Sequence, residues 1–273
     1  MKYLKTYESY DWSSKIKFNS DTRFGTQKLT EQEFDLIRKE SCKNWTKVET
    51  EIFRGMPNLG DYLLVEPLKG DFRSSIEDTN IHLDLMSNLP SWKDYPKYER
   101  CVIGGTRGSA TGTYGEAVYE MIPFDGIKIA VCPESTIWES FGNDYDSWGG
   151  DIYLVEHFLD SLDLDTSWNQ VGGGTIETKL KSLGNSFYGS KISEIPNKDQ
   201  DAVDNFLMRH AEFSWKKPNE ITGEDCFNFI NNSLFNPKVR GFQLLKYDLD
   251  FKTEKGKQIW TEGPVLLIKS HLV

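Results

Sequence analysis

Tyr98-Glu99-Arg100-Cys101-Val102-Ile103-Gly104-Gly105-Thr106-Arg107-Gly108-Ser109 is the stretch on which the fold turns. Val102 and Ile103 make a short apolar run that gives way to glycine and small polar residues. Two more apolar runs follow, Ala117–Ile122 and Ile127–Val131, with Pro123-Phe124-Asp125-Gly126 between them. Asp-Gly tolerates positive φ at little cost, so that tetrapeptide reads as a turn. The pattern predicts strand, glycine-rich polar loop, strand, turn, strand. Glycine lacks the Cβ that keeps a ligand off the backbone, so a strand running out into Gly104 and Gly105 has the shape of a nucleotide site, and also of many ordinary loops.

Toward the N-terminus, Thr30 is placed to cap a helix reaching Ser41, with Phe34, Leu36 and Ile37 as its apolar stripe. Glu49 to Met56 reads as a strand with Arg54 near its end, beside Gly55. Such an arginine is either a surface residue next to a turn or a guanidinium fork aimed at phosphate. Tyr62–Glu66 reads as a strand and Ile81–Asn88 as a helix. The segment from Leu89 to Pro96 is stiffened by two prolines, and its Trp92 and Tyr95 either stack on a ring or pin the loop to the core. Residues 1–28 are polar and aromatic without periodicity and read as an N-terminal arm.

Toward the C-terminus, Pro133-Glu134 reads as a helix start. From 151 to 236 the pattern turns helical. Ile152, Val155, Phe158 and Leu159 recur at helical spacing, as do Val203, Phe206, Leu207 and His210, and Thr222 with Asp225 forms a capping-box signature. Gly172-Gly173-Gly174 lacks the Walker and Rossmann contexts and reads as a hinge. Val239–Tyr247 and Gln258–Ile268 return to strand. Glu262 opens the apolar Val265-Leu266-Leu267 run, either as a solvated strand-end carboxylate or as an acid at the rim of a cleft.

Across 273 residues, 38% are hydrophobic, enough for a large core. The formal charge of -10 argues against a general basic nucleic-acid surface. Cys42, Cys101, Cys132 and Cys226 form no C-x-x-C pair and read as reduced thiols. No metal site is expected, although Asp144, Asp146 and Asp151 near Gly149-Gly150 offer carboxylates to a hard cation. No apolar run is long enough to span a bilayer, and no signal peptide is apparent, so the expected location is the cytoplasm.

Three elements stand in chain order: Phe53-Arg54-Gly55, Ile103 to Ser109, and Glu262 to Leu267. Together they resemble the arginine–serine–glutamate class of mono-ADP-ribosyltransferases over about residues 49–141 and 239–270. The N-terminus Met1-Lys2-Tyr3-Leu4-Lys5 and the Leu89–Pro96 segment are similar to proteins of large phages, which implies a host-cell cytoplasmic setting. The resemblance implies an α+β fold: an ADP-ribosyltransferase-like split mixed or antiparallel β-sheet core with a helical insertion. Its parts would be an arm at 1–28, the first part of the core at 29–150, the insertion at 151–236, and completing strands at 237–273. It implies transfer of ADP-ribose from NAD, used as substrate, to a macromolecular acceptor, either a host protein or a nucleic acid, with release of nicotinamide. Glu262 would stabilise positive charge at the ribose C1′ and hold the 2′-hydroxyl. Arg54 would hold the diphosphate, and Thr106 would position strands and bond the ribose or the glutamate. Gly55, Gly104 and Gly105 would line the dinucleotide, with Tyr114 or Tyr119 on the nicotinamide ring. The chain departs from the pattern in two places. Gly105-Thr106-Arg107 stands where the family has Ser-Thr-Ser, and Trp260 stands where a first glutamate is common. In a shifted register Gln258 takes the acid's place, which implies an inactive enzyme. The competing readings are a non-enzymatic binding, inhibitor or virion protein, and a metal-dependent nuclease or glycosidase.

Overall fold

The computed structural model describes residues 25–69, 81–109, 115–142, 150–161, 190–195, 199–209 and 216–270. Its strands are β1 (Thr26–Lys28), β2 (Ile52–Met56), β3 (Tyr62–Val65), β4 (Val102–Thr106), β5 (Ala117–Pro123), β6 (Lys128–Val131), β7 (Gln243–Lys246), β8 (Gln258–Thr261) and β9 (Val265–Lys269). They form one nine-stranded sheet in the order β1-β3-β9-β5-β2-β4-β8-β6-β7. Every ladder among the described residues is antiparallel, so the architecture is α+β with an antiparallel sheet, without the parallel pairs a mixed sheet would add.

Chain length shows that this sheet cannot be flat. β8 and β9 lie four strand spacings apart, about 19 Å in a plane. Glu262, Gly263 and Pro264 alone join them, and a fully extended link from Thr261 to Val265 reaches only about 14 Å. β5 and β6 are also four spacings apart and are joined by the short Phe124–Ile127 turn. The sheet therefore curls until the two links meet. The Phe124 N–H donates to the Pro264 carbonyl at 3.2 Å. A Cβ built on Gly263 would stand 2.8 Å from Ile127 Cγ2, so glycine is what lets these links touch. β2–β4 is one of the two narrowest joins in the sheet, its register holding only Ile52↔Thr106 and Phe53↔Gly105; β6–β8 likewise holds two pairs.

Alternation along the strands feeds two cores. Val102 and Ile259 join Ile52, Leu63, Met121, Ile129 and Leu267 in one. Ile103 and Trp260 join the helices in the other. Helix α1 (Glu31–Ser41) starts with the expected capping box, Thr30 with Glu33. Its buried stripe is Phe34 and Ile37, while Leu36 is 41% exposed. Helix α2 (Ile81–Asn88) forms as expected. Helix α3 (Ile137–Ser140) begins at Thr136, which accepts from the Glu139 N–H, so the helix starts later than Pro133 suggested. Helices α4 (Gly150–Ser161), α5 (Gln200–Arg209) and α6 (Gly223–Phe229) supply Ile152, Phe158, Phe206 and Phe229 to the core shared with Trp260. The Thr222–Asp225 capping box is present, and a π-helical turn, Ile230–Leu234, follows α6.

Three expectations change. Gly104-Gly105-Thr106 is the second half of β4, buried throughout, and no loop begins until Arg107. Thr26–Lys28, the end of the expected arm, is the edge strand of the sheet. The run from Gln258 to Ile268 is two strands that are not neighbours. Gly172-Gly173-Gly174 and His210 lie outside the described residues. No described helix is long and apolar enough to cross a membrane. The four cysteines are free thiols, all buried.

Candidate functional site

Arg54 sits where β2 and β4 part. β2 continues along β5, pairing Arg54↔Tyr119 and Gly55↔Val118, while β4 continues along β8. Past Phe53 no β2 residue pairs with β4, and the half-buried Arg54 guanidinium donates to the Ile103 carbonyl at that point. Arginine suits this because its planar fork can serve a backbone oxygen that a strand has left.

Thr106 lies at the other end of β4. Its hydroxyl donates to the Glu254 carbonyl at 2.9 Å and accepts from the Lys257 N–H at 2.9 Å. Thr106 is 2% exposed, so this hydroxyl is committed to holding the 254–257 turn onto β4. Glu262 follows Thr261, which pairs with Val102 at the first residue of β4. The β8 ladder thus sets Thr106 beside Lys257 and puts Glu262 five residues further on, about 17 Å at strand rise. Arg54 reaches the Ile103 carbonyl from the β2 side of β4, Glu262 follows the β8 residue that pairs with Val102, and Thr106 lies at the opposite end of β4 from Glu262. Glu262 is half-buried. Burial raises its proton affinity, the Lys97 N–H, Lys97 and Lys128 oppose that, and Glu99 adds to it.

Gly104, Gly105 and Tyr119 are occupied by packing, whereas Gly55 is half-buried. A Cβ on Gly104 would stand 2.9 Å from Met121 Sδ, 2.9 Å from the Phe53 carbonyl and 3.1 Å from Ile52 Cγ2, so this glycine admits neighbouring strands and side chains. Gly105 sits between Phe53 and Gln258 in the middle of the sheet. Tyr119 is fully buried, donates to the Gly60 carbonyl at 2.7 Å and accepts from the Leu59 N–H, so it cannot stack on a nicotinamide ring. Tyr114 lies outside the described residues, as do Asp144 and Asp146. Asp151 pairs with Arg240, both largely buried. Trp92 donates its indole N–H to Phe235 and Tyr95 its hydroxyl to Phe242, which pins the Leu89–Pro96 loop to the core.

Gln258 occupies the position that faces the glycine strand. It pairs with Gly105, and its side chain is 2% exposed. Its carboxamide oxygen accepts from the Ile137 N–H at 2.7 Å, and its nitrogen donates to the Tyr98 hydroxyl at 2.7 Å. An amide supplies both a donor and an acceptor, and this site uses both.

Glu120 was not singled out by sequence reasoning. It is 7% exposed on β5, between Phe53 and Ile268, and accepts from the Trp45 indole N–H. Burial raises its proton affinity, the Trp45 bond opposes that, and Glu51 adds to the rise. The available signal was an acid inside the Ala117–Ile122 apolar run. Among the described residues, no group of three or more His, Cys, Asp or Glu is placed to hold a metal ion. No protein-family model, curated protein or solved structure matches the chain.

Proposed function

We propose that this chain is an ADP-ribosyltransferase-like protein in plan that serves as a non-enzymatic binding protein. The plan is supported by an antiparallel sheet that curls on itself, parts beside an arginine strand, and sets a glycine strand next to a late strand. The observation that carries the loss of chemistry is at Gln258. On β8, the residue facing Gly105 is a buried amide with both ends bonded to the protein, where stabilising a ribosyl cation calls for a carboxylate. Thr106 spends its hydroxyl on the 254–257 turn.

The transferase remains the second reading, favoured by one observation. Arg54 bonds the Ile103 carbonyl of β4, Glu262 is half-buried just past the β8 residue that pairs with Val102, and burial raises the proton affinity of Glu262. In that reading NAD is the substrate, and a host protein or a nucleic acid is the acceptor. Thermal unfolding with NAD separates the two. A ligand at a hundred times its dissociation constant stabilises by about 2.7 kcal/mol. The binding-protein reading expects millimolar NAD to leave the melting temperature unchanged. A rise that disappears in Arg54→Ala would overturn it.

A further inference from the structure

We infer that the outer face of the antiparallel β6–β7 pair, with Lys128, Lys246 and Lys97, is a docking surface for an extended acidic peptide. The chain as a whole carries a formal charge of -10, so a concentration of lysines is contrary to its composition. Lys128 and Lys246 are direct register partners on neighbouring antiparallel strands, and both are exposed. Directly opposed residues project to the same face, and like charges there work against the sheet. Lys128 donates to the Asp94 carbonyl at 3.0 Å, which fixes its ammonium over the end of the Leu89–Pro96 loop. Lys97 is exposed on the continuation of that loop, and Lys97 and Lys128 both act on Glu262. Three lysines thus gather at one end of the β6–β7 pair.

β7 is the last strand in the sheet order, with β6 as its only strand partner among the described residues. An unpaired strand edge offers backbone donors and acceptors to an extended chain, and flanking side chains select which chain binds. Lysines at this edge would repel a basic segment and favour one rich in Asp and Glu. Asp94, Glu99 and Glu262 are acids near the cluster; Glu262 accepts from the Lys97 N–H, and Thr261 before it donates to the Lys128 carbonyl. The inference does not depend on whether the chain turns over NAD.

A fluorescein-labelled twelve-residue polyglutamate peptide tests it on the full chain by anisotropy, with a Gly-Ser-Gln peptide of equal length as control. The polyglutamate should bind and the control should not. Affinity should fall at least about tenfold in the Lys128→Glu/Lys246→Glu double variant, since attraction becomes repulsion. It should also fall on raising salt from 50 to 300 mM, which shortens the screening length. Lys97→Glu lies outside the sheet and should weaken binding without touching the ladder. Glu262→Gln should strengthen binding by removing a competing acid, whereas the transferase reading expects the same change to alter NAD chemistry and leave peptide binding alone. Absence of binding at 50 mM salt, or affinity equal to the parent's in the Lys128→Glu/Lys246→Glu and Lys97→Glu variants, overturns the inference. Tighter binding of a single-stranded oligonucleotide than of polyglutamate overturns the assignment to an acidic protein segment.

Discussion

Gly104→Ala asks whether the glycine strand is open for a ligand or closed by packing. The new methyl would stand 2.9 Å from Met121 Sδ, 2.9 Å from the Phe53 carbonyl oxygen and 3.1 Å from Ile52 Cγ2. Carbon rests against such atoms at about 3.5–4.0 Å, so each neighbour must yield by several tenths of an ångström. The Met121 thioether can turn aside, because methionine is unbranched and flexible. The Phe53 carbonyl belongs to the β2–β4 ladder and can move only with the strand. Overpacking of this kind costs about 1–3 kcal/mol. At about 2–4 °C per kcal/mol for a chain of this size, the melting temperature should fall on the order of 5 °C. In urea the midpoint should drop with an unchanged slope, because the surface exposed on unfolding is the same. Met121→Ala alone leaves a cavity and costs about 2–5 kcal/mol. The double variant should cost less than the sum, with a coupling of about 0.5–3 kcal/mol, since the alanine methyl takes up part of the vacated space. An unchanged urea midpoint in Gly104→Ala would show that the position is open, and the packing argument would fail there.

Two further substitutions test the buried charges. Glu120 has its proton affinity raised mainly by burial, so the folded state favours the neutral acid. That contribution is fully present below the ordinary carboxylate range and is lost as pH rises through the folded-state value. Glu120→Gln keeps an acceptor for the Trp45 indole and removes the ionisation. Its stability relative to the parent should therefore increase between pH 4.5 and pH 7.5 in urea titrations, and a pH-independent difference would contradict this. Asp151→Asn leaves the largely buried Arg240 without its anion. Removing one partner of a buried pair costs about 3–5 kcal/mol, to be read from the urea midpoint, and a loss below about 1 kcal/mol would show the pair to be solvated.

Local signals made much of the fold legible. Thr30 with Glu33 and Thr222 with Asp225 marked two helix starts because a capping box is complete within four residues. Asp125-Gly126 marked the turn between β5 and β6, and Gly126 does adopt a φ of +81°. What failed depended on residues far away in sequence. Gly104 and Gly105 look like loop residues in a one-dimensional reading, but β2, β8 and Met121 close over them and make them strand. Pro264 lies inside the Gln258–Ile268 segment that reads as strand, and only the sheet order reveals that the chain crosses there between strands that never pair. The site was less legible than the fold. Arg54 was recognised as special, yet its partner is a backbone carbonyl on a different strand. The separation of Thr106 from Glu262 follows from the β4–β8 register, which no spacing in the sequence encodes. Glu120 was hidden because an acid in an apolar strand reads as a solvent-facing position until Trp45 is seen to bond it.

The proposal rests on Gln258, an amide, being the β8 residue that pairs with Gly105, and it holds that the chain does not break the bond between nicotinamide and ribose. Incubating the purified protein with NAD and measuring free nicotinamide by chromatography tests this directly. The account predicts release no faster than in buffer, with Glu262→Ala and Arg54→Ala indistinguishable from the parent. Release above buffer in the parent that is abolished in Glu262→Ala would contradict it and establish the transferase reading instead.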